Sequence, residues 1–66
     1  MQIQVNGQWR QQAGEITIGR LLAELELEPR RVAVELNRQL VRRAIFDQTN
    51  LNNNDTLEIV TLVGGG

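Results

Sequence analysis

Only one stretch of this chain has the spacing of an amphipathic helix. Within "EITIGRLLAELELEPRR", Ile18, Leu21, Leu22 and Leu25 fall at i, i+3, i+4 and i+7, a single apolar stripe on a 3.6-residue period. A lone helix that is apolar on one side has no helical partner, so it must lie on a sheet. Thr17 is placed to cap its start, with Ile16 and Leu21 at the two positions of a hydrophobic staple. Arg20 stands where a capping box would put Glu, so half of that motif is missing. Pro29 closes the segment, because the residue before a proline is pushed out of the α region. Glu24 and Glu28, four apart, are then expected to form an acidic, solvated outer face.

The flanking segments alternate with a period of two. In "MQIQVNGQWRQQ", Ile3 and Val5 alternate with Gln2 and Gln4, and Asn6-Gly7 supplies the two positive-φ residues of a type I′ turn. That is a β-hairpin, with Trp9 opening the return strand. After the proline, "RRVAVELNRQLVRR" sets Val32, Val34 and Leu36 inward against Ala33 and Glu35 outward. It turns at Asn37-Arg38-Gln39 and starts a short partner strand at Leu40-Val41. "AIFDQTNLNNNDT" reads as an irregular polar connection anchored by Ile45, Phe46 and Leu51, ending in a turn at Asn52-Asn53-Asn54-Asp55. "TLEIVTLV" is the last strand.

The order strand, strand, helix, strand, short strand, strand predicts an α+β domain with a mixed sheet of four to five strands. One helix covers one face, and a helical crossover sets the first and last strands side by side in the sheet centre. This is the β-grasp, or ubiquitin-like, arrangement. Sixty-six residues make one domain, read as 1–63, with residues 64–66 a flexible glycine tail. At 41% hydrophobic and 3% aromatic, the core must come from Ile, Leu and Val, with Trp9 and Phe46 the two large rings. A core of this size leaves roughly 3–5 kcal/mol of net stability. A deep, self-built catalytic cavity is not expected of it, which weighs against an independent enzyme.

Cysteine and histidine are both absent, excluding disulfides, thiolate or imidazole metal sites, and any nucleophile activated by His. The net charge is −1, and all seven basic residues are Arg. The pairs Arg30-Arg31 and Arg42-Arg43 could form a small basic patch, but two solvated pairs at strand edges is the plainer reading. With acids as numerous as bases and few rings to stack on bases, nucleic acid is not an expected partner. No charged-then-apolar leader, long apolar run or lipidation signal is found, so a cytoplasmic protein with no membrane partner is expected.

If Leu57 and Ile59 face the helix, Glu58, Val60 and Leu62 face outward; the inverse would bury Glu58 without a cation. Val60 and Leu62 are therefore expected to form a docking patch leading into "GGG". Glycine loses more conformational freedom on ordering than any other residue, so Gly64, Gly65 and Gly66 add nothing to folding. Without Cβ atoms they can thread a partner's narrow channel, with the Gly66 carboxylate as the reactive group. A carboxylate is a poor acyl donor, so it needs a partner that joins it to AMP from ATP. The chain itself needs no bound cofactor and supplies no catalytic side chain.

"MQIQVNG", "TIGRLLAELEL", "RVAVELNRQLVRR" and "NDTLEIVTLVGGG" together resemble, over the whole length, the ThiS branch of the ThiS/MoaD family of ubiquitin-like sulfur carriers. The resemblance implies a cycle. A ThiF-like enzyme adenylates Gly66, sulfur from a cysteine desulfurase system replaces AMP, and the thiazole synthase ThiG takes that sulfur into the thiazole ring of thiamine. Asn53-Asn54-Asp55 stands where the family often has an Asp-Gly-Asp-like turn, and Gly64 precedes the usual glycine pair. Lacking Cys and Lys, the chain has no thiol or ε-amine of its own to attack the activated end, although composition bias explains this equally well.

Rival readings remain at this point. A MoaD-type subunit of molybdopterin synthase would share fold, tail and activation. A ubiquitin-like modifier would acylate lysines on targets. An RNA-associated β-grasp binding module would tolerate changes at its C-terminus and gives no reason for the glycines. A β-grasp ferredoxin is excluded for want of cysteines.

Overall fold

The computed structural model describes residues 1–63. Gly64, Gly65 and Gly66, and with them the tail expected from the sequence, lie outside the described residues. The chain opens with β1 (Gln2–Val5) and β2 (Gln8–Gln11), joined by the expected two-residue turn, with Asn6 at φ 50° and Gly7 at φ 84°. The helix α1 spans Ile18–Glu24. A 3₁₀ turn at Pro29–Arg31 leads into β3 (Val32–Leu36) and β4 (Gln39–Val41). A second 3₁₀ segment, Arg43–Gln48, precedes β5 (Thr56–Thr61).

The sheet order is β2-β1-β5-β3-β4, with β1 parallel to β5 and the other pairs antiparallel. The first and last strands are therefore neighbours, and α1 covers one face: the β-grasp arrangement. Ile3 from β1, Ile18, Leu21 and Leu22 from α1, Val34 from β3 and Leu57 from β5 are fully buried between them.

Both ends of the helix are set by local chemistry. The Thr17 hydroxyl accepts the Arg20 amide at 3.1 Å, and the staple residues Ile16 and Leu21 are both buried. The helix stops at Glu24, short of Pro29. The Glu26 amide donates to the Ala23 carbonyl at 3.1 Å and the Leu27 amide to the Leu22 carbonyl at 2.9 Å, the double bond pattern of a Schellman motif. Its left-handed position, φ 59°, is held by Glu26 rather than glycine. Glu28 therefore lies beyond the helix, and the expected Glu24/Glu28 helical face does not exist. Pro29 starts the first 3₁₀ turn instead.

Two large side chains also fall where they were not expected. Trp9 is 55% exposed. The tight turn fixes the pairs Val5–Gln8, Gln4–Trp9 and Ile3–Arg10, which puts Arg10, not Trp9, on the helix side. There its guanidinium lies 3.8 Å from the Glu24 carboxylate. The connection after β4 is 3₁₀ over Arg43–Gln48 and irregular, as expected, beyond it. It buries Phe46 and leaves Ile45 exposed, because residues one apart on a threefold turn point to different sides.

Candidate functional site

Leu57 and Ile59 of β5 are buried, while Glu58 and Val60 are exposed on the face opposite α1, as the alternation requires. Val60 is 58% exposed and pairs with Ala33 of β3. One step on, the Leu62 amide donates to the Arg31 carbonyl at 2.7 Å, so the antiparallel register continues past the end of β5. Leu62 is exposed as well. The two aliphatic side chains expected to form a patch thus share the outer side of the last strand and its continuation, next to the point where Gly64 follows. Gly64, Gly65 and Gly66 themselves lie outside the described residues.

Side-chain amides hold this strand at its start and where its pairing with β1 runs out. The parallel β1–β5 ladder ends at Val5–Leu57, and there the Asn6 side chain takes over. Its Oδ1 accepts the Ile59 amide at 2.7 Å and its Nδ2 donates to the Ile59 carbonyl at 3.1 Å, imitating one more strand residue. At the strand's start Asn37 Oδ1 accepts the Thr56 amide at 3.0 Å. The nearly buried Asp55 carboxylate accepts Asn37 Nδ2 at 3.0 Å and the Asn52 amide at 2.7 Å. A strand pinned this way presents its outer side chains from fixed positions.

The outer side holds more than the two aliphatics. Glu35 and Glu58 are directly opposed across β3 and β5, and Leu40 of β4, 71% exposed, stands across from Glu35. Trp9 and Leu40 were not singled out from sequence as exposed; the strand registers that put them there were the available signal. The arginine pairs also change meaning. The β3–β4 hairpin folds "RRVAVELNRQLVRR" back on itself, and the Arg43 guanidinium donates to the carbonyls of Pro29 at 3.1 Å and Arg30 at 3.4 Å. The two pairs therefore stand at one end of the domain.

A cleft of about 540 Å³ opens beside the end of β5, bounded by Trp9, Leu25, Leu27, Ile59 and Thr61 among others. Its one charged lining residue is Arg10, which faces Glu24, so the cleft offers no acid–base pair. Among the described residues no three His, Cys, Asp or Glu stand together as metal ligands, and no helix is long and apolar enough to cross a membrane.

Residues 3–66 match the model of the ThiS family. This chain belongs to that family. The relatives described next are named for thiamine biosynthesis or thiazole synthesis, which favours the thiamine branch over the molybdopterin one. The sulfur carrier protein ThiS of Bacillus subtilis is 37% identical, the match covering 97% of this chain and 98% of that one. A thiazole synthase of Paramagnetospirillum magneticum is 39% identical over the whole of this chain, which spans 20% of that protein. Among solved structures, the crystal structure of ThiS from Geobacter metallireducens superimposes with a TM-score of 0.86 at 32% identity, each chain covered completely. The ThiS fold is thus the mixed five-stranded sheet and single helix described above.

Proposed function

We propose that this ThiS-family chain carries sulfur as a thiocarboxylate on Gly66 and surrenders it to a thiazole synthase for the thiazole ring of thiamine. The observation that carries the reading is the course of β5. The strand at the sheet centre, held by amide side chains at Thr56 and Ile59, runs outward Val60 and Leu62 directly into the glycines. A rigid body that presents a side-chain-free end beside an aliphatic patch suits delivery of that end into another protein. Contacts at the patch then offset the cost of ordering three glycines.

In this cycle a ThiF-like partner drives a Gly66 carboxylate oxygen onto the α-phosphorus of ATP, releasing pyrophosphate. The terminal sulfur of a persulfide from a cysteine desulfurase system attacks the acyl carbon and displaces AMP. A thiol then cleaves the resulting acyl disulfide, leaving the thiocarboxylate on Gly66 and becoming a disulfide with the sulfur donor. The chain contributes no acid, base or metal ligand; it is a co-substrate of its partners and works in the cytoplasm. Thiazole synthase as the acceptor is supported by the relative of that name, which includes a region like this chain in one fifth of its length.

The test uses the missing thiols. Because the chain has no Cys, iodoacetamide alkylation of the protein isolated from its own cells, located at Gly66 by intact and fragment mass, reports a thiocarboxylate. Protein that ends beyond residue 66, or that never gains sulfur with the ThiF-like enzyme, ATP and a sulfur source, overturns the reading. One residue appended after Gly66 is expected to abolish sulfur transfer while leaving the circular dichroism spectrum unchanged.

A further inference from the structure

Val60 and Leu62 can bind an apolar surface, but two aliphatic side chains do not fix which way round a partner docks. The charges around them do. On the far side of Val60, Glu35 and Glu58 are directly opposed across two strands, and neither forms an ion pair among the described residues. Like charges facing each other on a sheet are unfavourable in the free protein. On the near side stand Arg30, Arg31, Arg42 and Arg43, all exposed and none in an ion pair among the described residues. Across the segments 28–31 and 42–43, Glu28 is the one acid against these four bases.

Three backbone relations place the arginines at the root of the tail. Arg31 gives its carbonyl to the Leu62 amide at 2.7 Å. Arg43 lies over the carbonyls of Pro29 and Arg30. Arg42 continues β4 in extended backbone one residue past the Val34–Val41 pair, so it shares the parity, and the outer side, of Leu40. Along β5 the acidic and basic ends are four residues apart, about 13 Å at strand rise. That exceeds the screening length of about 10 Å at 0.1 M salt, so the two ends act as separate poles rather than cancelling.

We propose that these four arginines are the orienting half of the docking face, and that they engage a carboxylate-bearing rim on the protein that receives the tail. This rests on the function proposed above. The occupant is a protein surface: the aliphatic patch between the poles calls for an apolar counterpart, and acids at the channel mouth complete it. The basic pole stands at the end where the tail leaves, so attraction there leads the glycines in first. The Glu35/Glu58 pole disfavours the reversed docking, since it would meet those same acids.

The test compares wild type with Arg31→Glu/Arg42→Glu, whose altered side chains make no hydrogen bond to the described residues, and with the milder Arg31→Gln/Arg42→Gln. Association rates with the ThiF-like enzyme and thiazole synthase of the same organism are measured in stopped flow at about 0.1 M and about 1 M sodium chloride. Charge reversal is expected to slow association with at least one of them about tenfold at the lower salt, the neutral variant less. The difference should nearly vanish at the higher salt. Equal rates for all three proteins with both partners overturn the proposal and leave the sulfur-carrier reading standing. Wild type that binds neither partner overturns both. Unchanged partner association, with arginine-dependent binding to a single-stranded RNA oligomer, to phosphatidylglycerol vesicles or to a second copy of the chain, also overturns it by assigning the arginines elsewhere.

Discussion

Asn6 carries two duties that a substitution can separate. Its backbone at φ 50° makes the hairpin turn, and its side chain supplies two hydrogen bonds to Ile59. Asn6→Gly keeps the turn and loses the bonds, so urea unfolding should show a loss of about 1–3 kcal/mol, with Asn6→Ala costing more. Glu26 offers the opposite case. It occupies a left-handed position that glycine fills without strain, and Glu26→Gly is expected to gain about 1 kcal/mol in the same assay. The sequence made Asn6-Gly7 and the Thr17 cap legible because both act within a few residues. It did not reveal Glu26, since the Schellman bonds depend on Leu27 packing back towards the core. Nor did it reveal Asp55, which is enclosed when two turns distant in sequence meet.

At the level of elements, alternation decided most of the sheet correctly. Val32 and Val34 face inward, and Leu57 and Ile59 face the helix, because a one-residue slip would bury Glu35 or Glu58. Where alternation misled, register was the cause: the two-residue turn sets Trp9 across from Gln4. The second 3₁₀ segment was illegible, its period of three being too short-lived to stand out among polar residues. It packs closely on α1 at Gly19, where an added Cβ would meet the Asp47 side chain and lie 3.5 Å from its Cα. Asp47 is exposed and can swing aside, so Gly19→Ala should stay within about 1 kcal/mol of wild type, helix propensity offsetting the displacement. Gly19→Leu cannot be accommodated without parting the two elements, and a loss of about 2 kcal/mol or more is expected by thermal unfolding.

For the whole molecule, the outer face is where stability and the proposed docking are expected to separate. Val60→Glu alters an exposed position but adds a carboxylate beside Glu35 and Glu58 on a central strand, so unfolding free energy should fall by no more than about 1 kcal/mol. If Val60 is an anchor for the activating enzyme, the same change should weaken binding by about 1–3 kcal/mol in calorimetry; unchanged affinity removes it from the patch. Val60 and Leu62 were legible because one strand's parity sufficed. The arginine end was not, because it needs the β3–β4 hairpin closed and the first 3₁₀ turn brought beside Leu62.

The placement of β5 carries one more consequence. Of the five strands, the last in chain order is the middle of the sheet, so a nascent or prematurely terminated chain lacking β5 has two separate hairpins and no shared centre. Proteolytic nicking ahead of Thr61 would likewise undo the body rather than trim it. A chain cut short before β5 therefore loses the sheet centre and the outward Val60 position together.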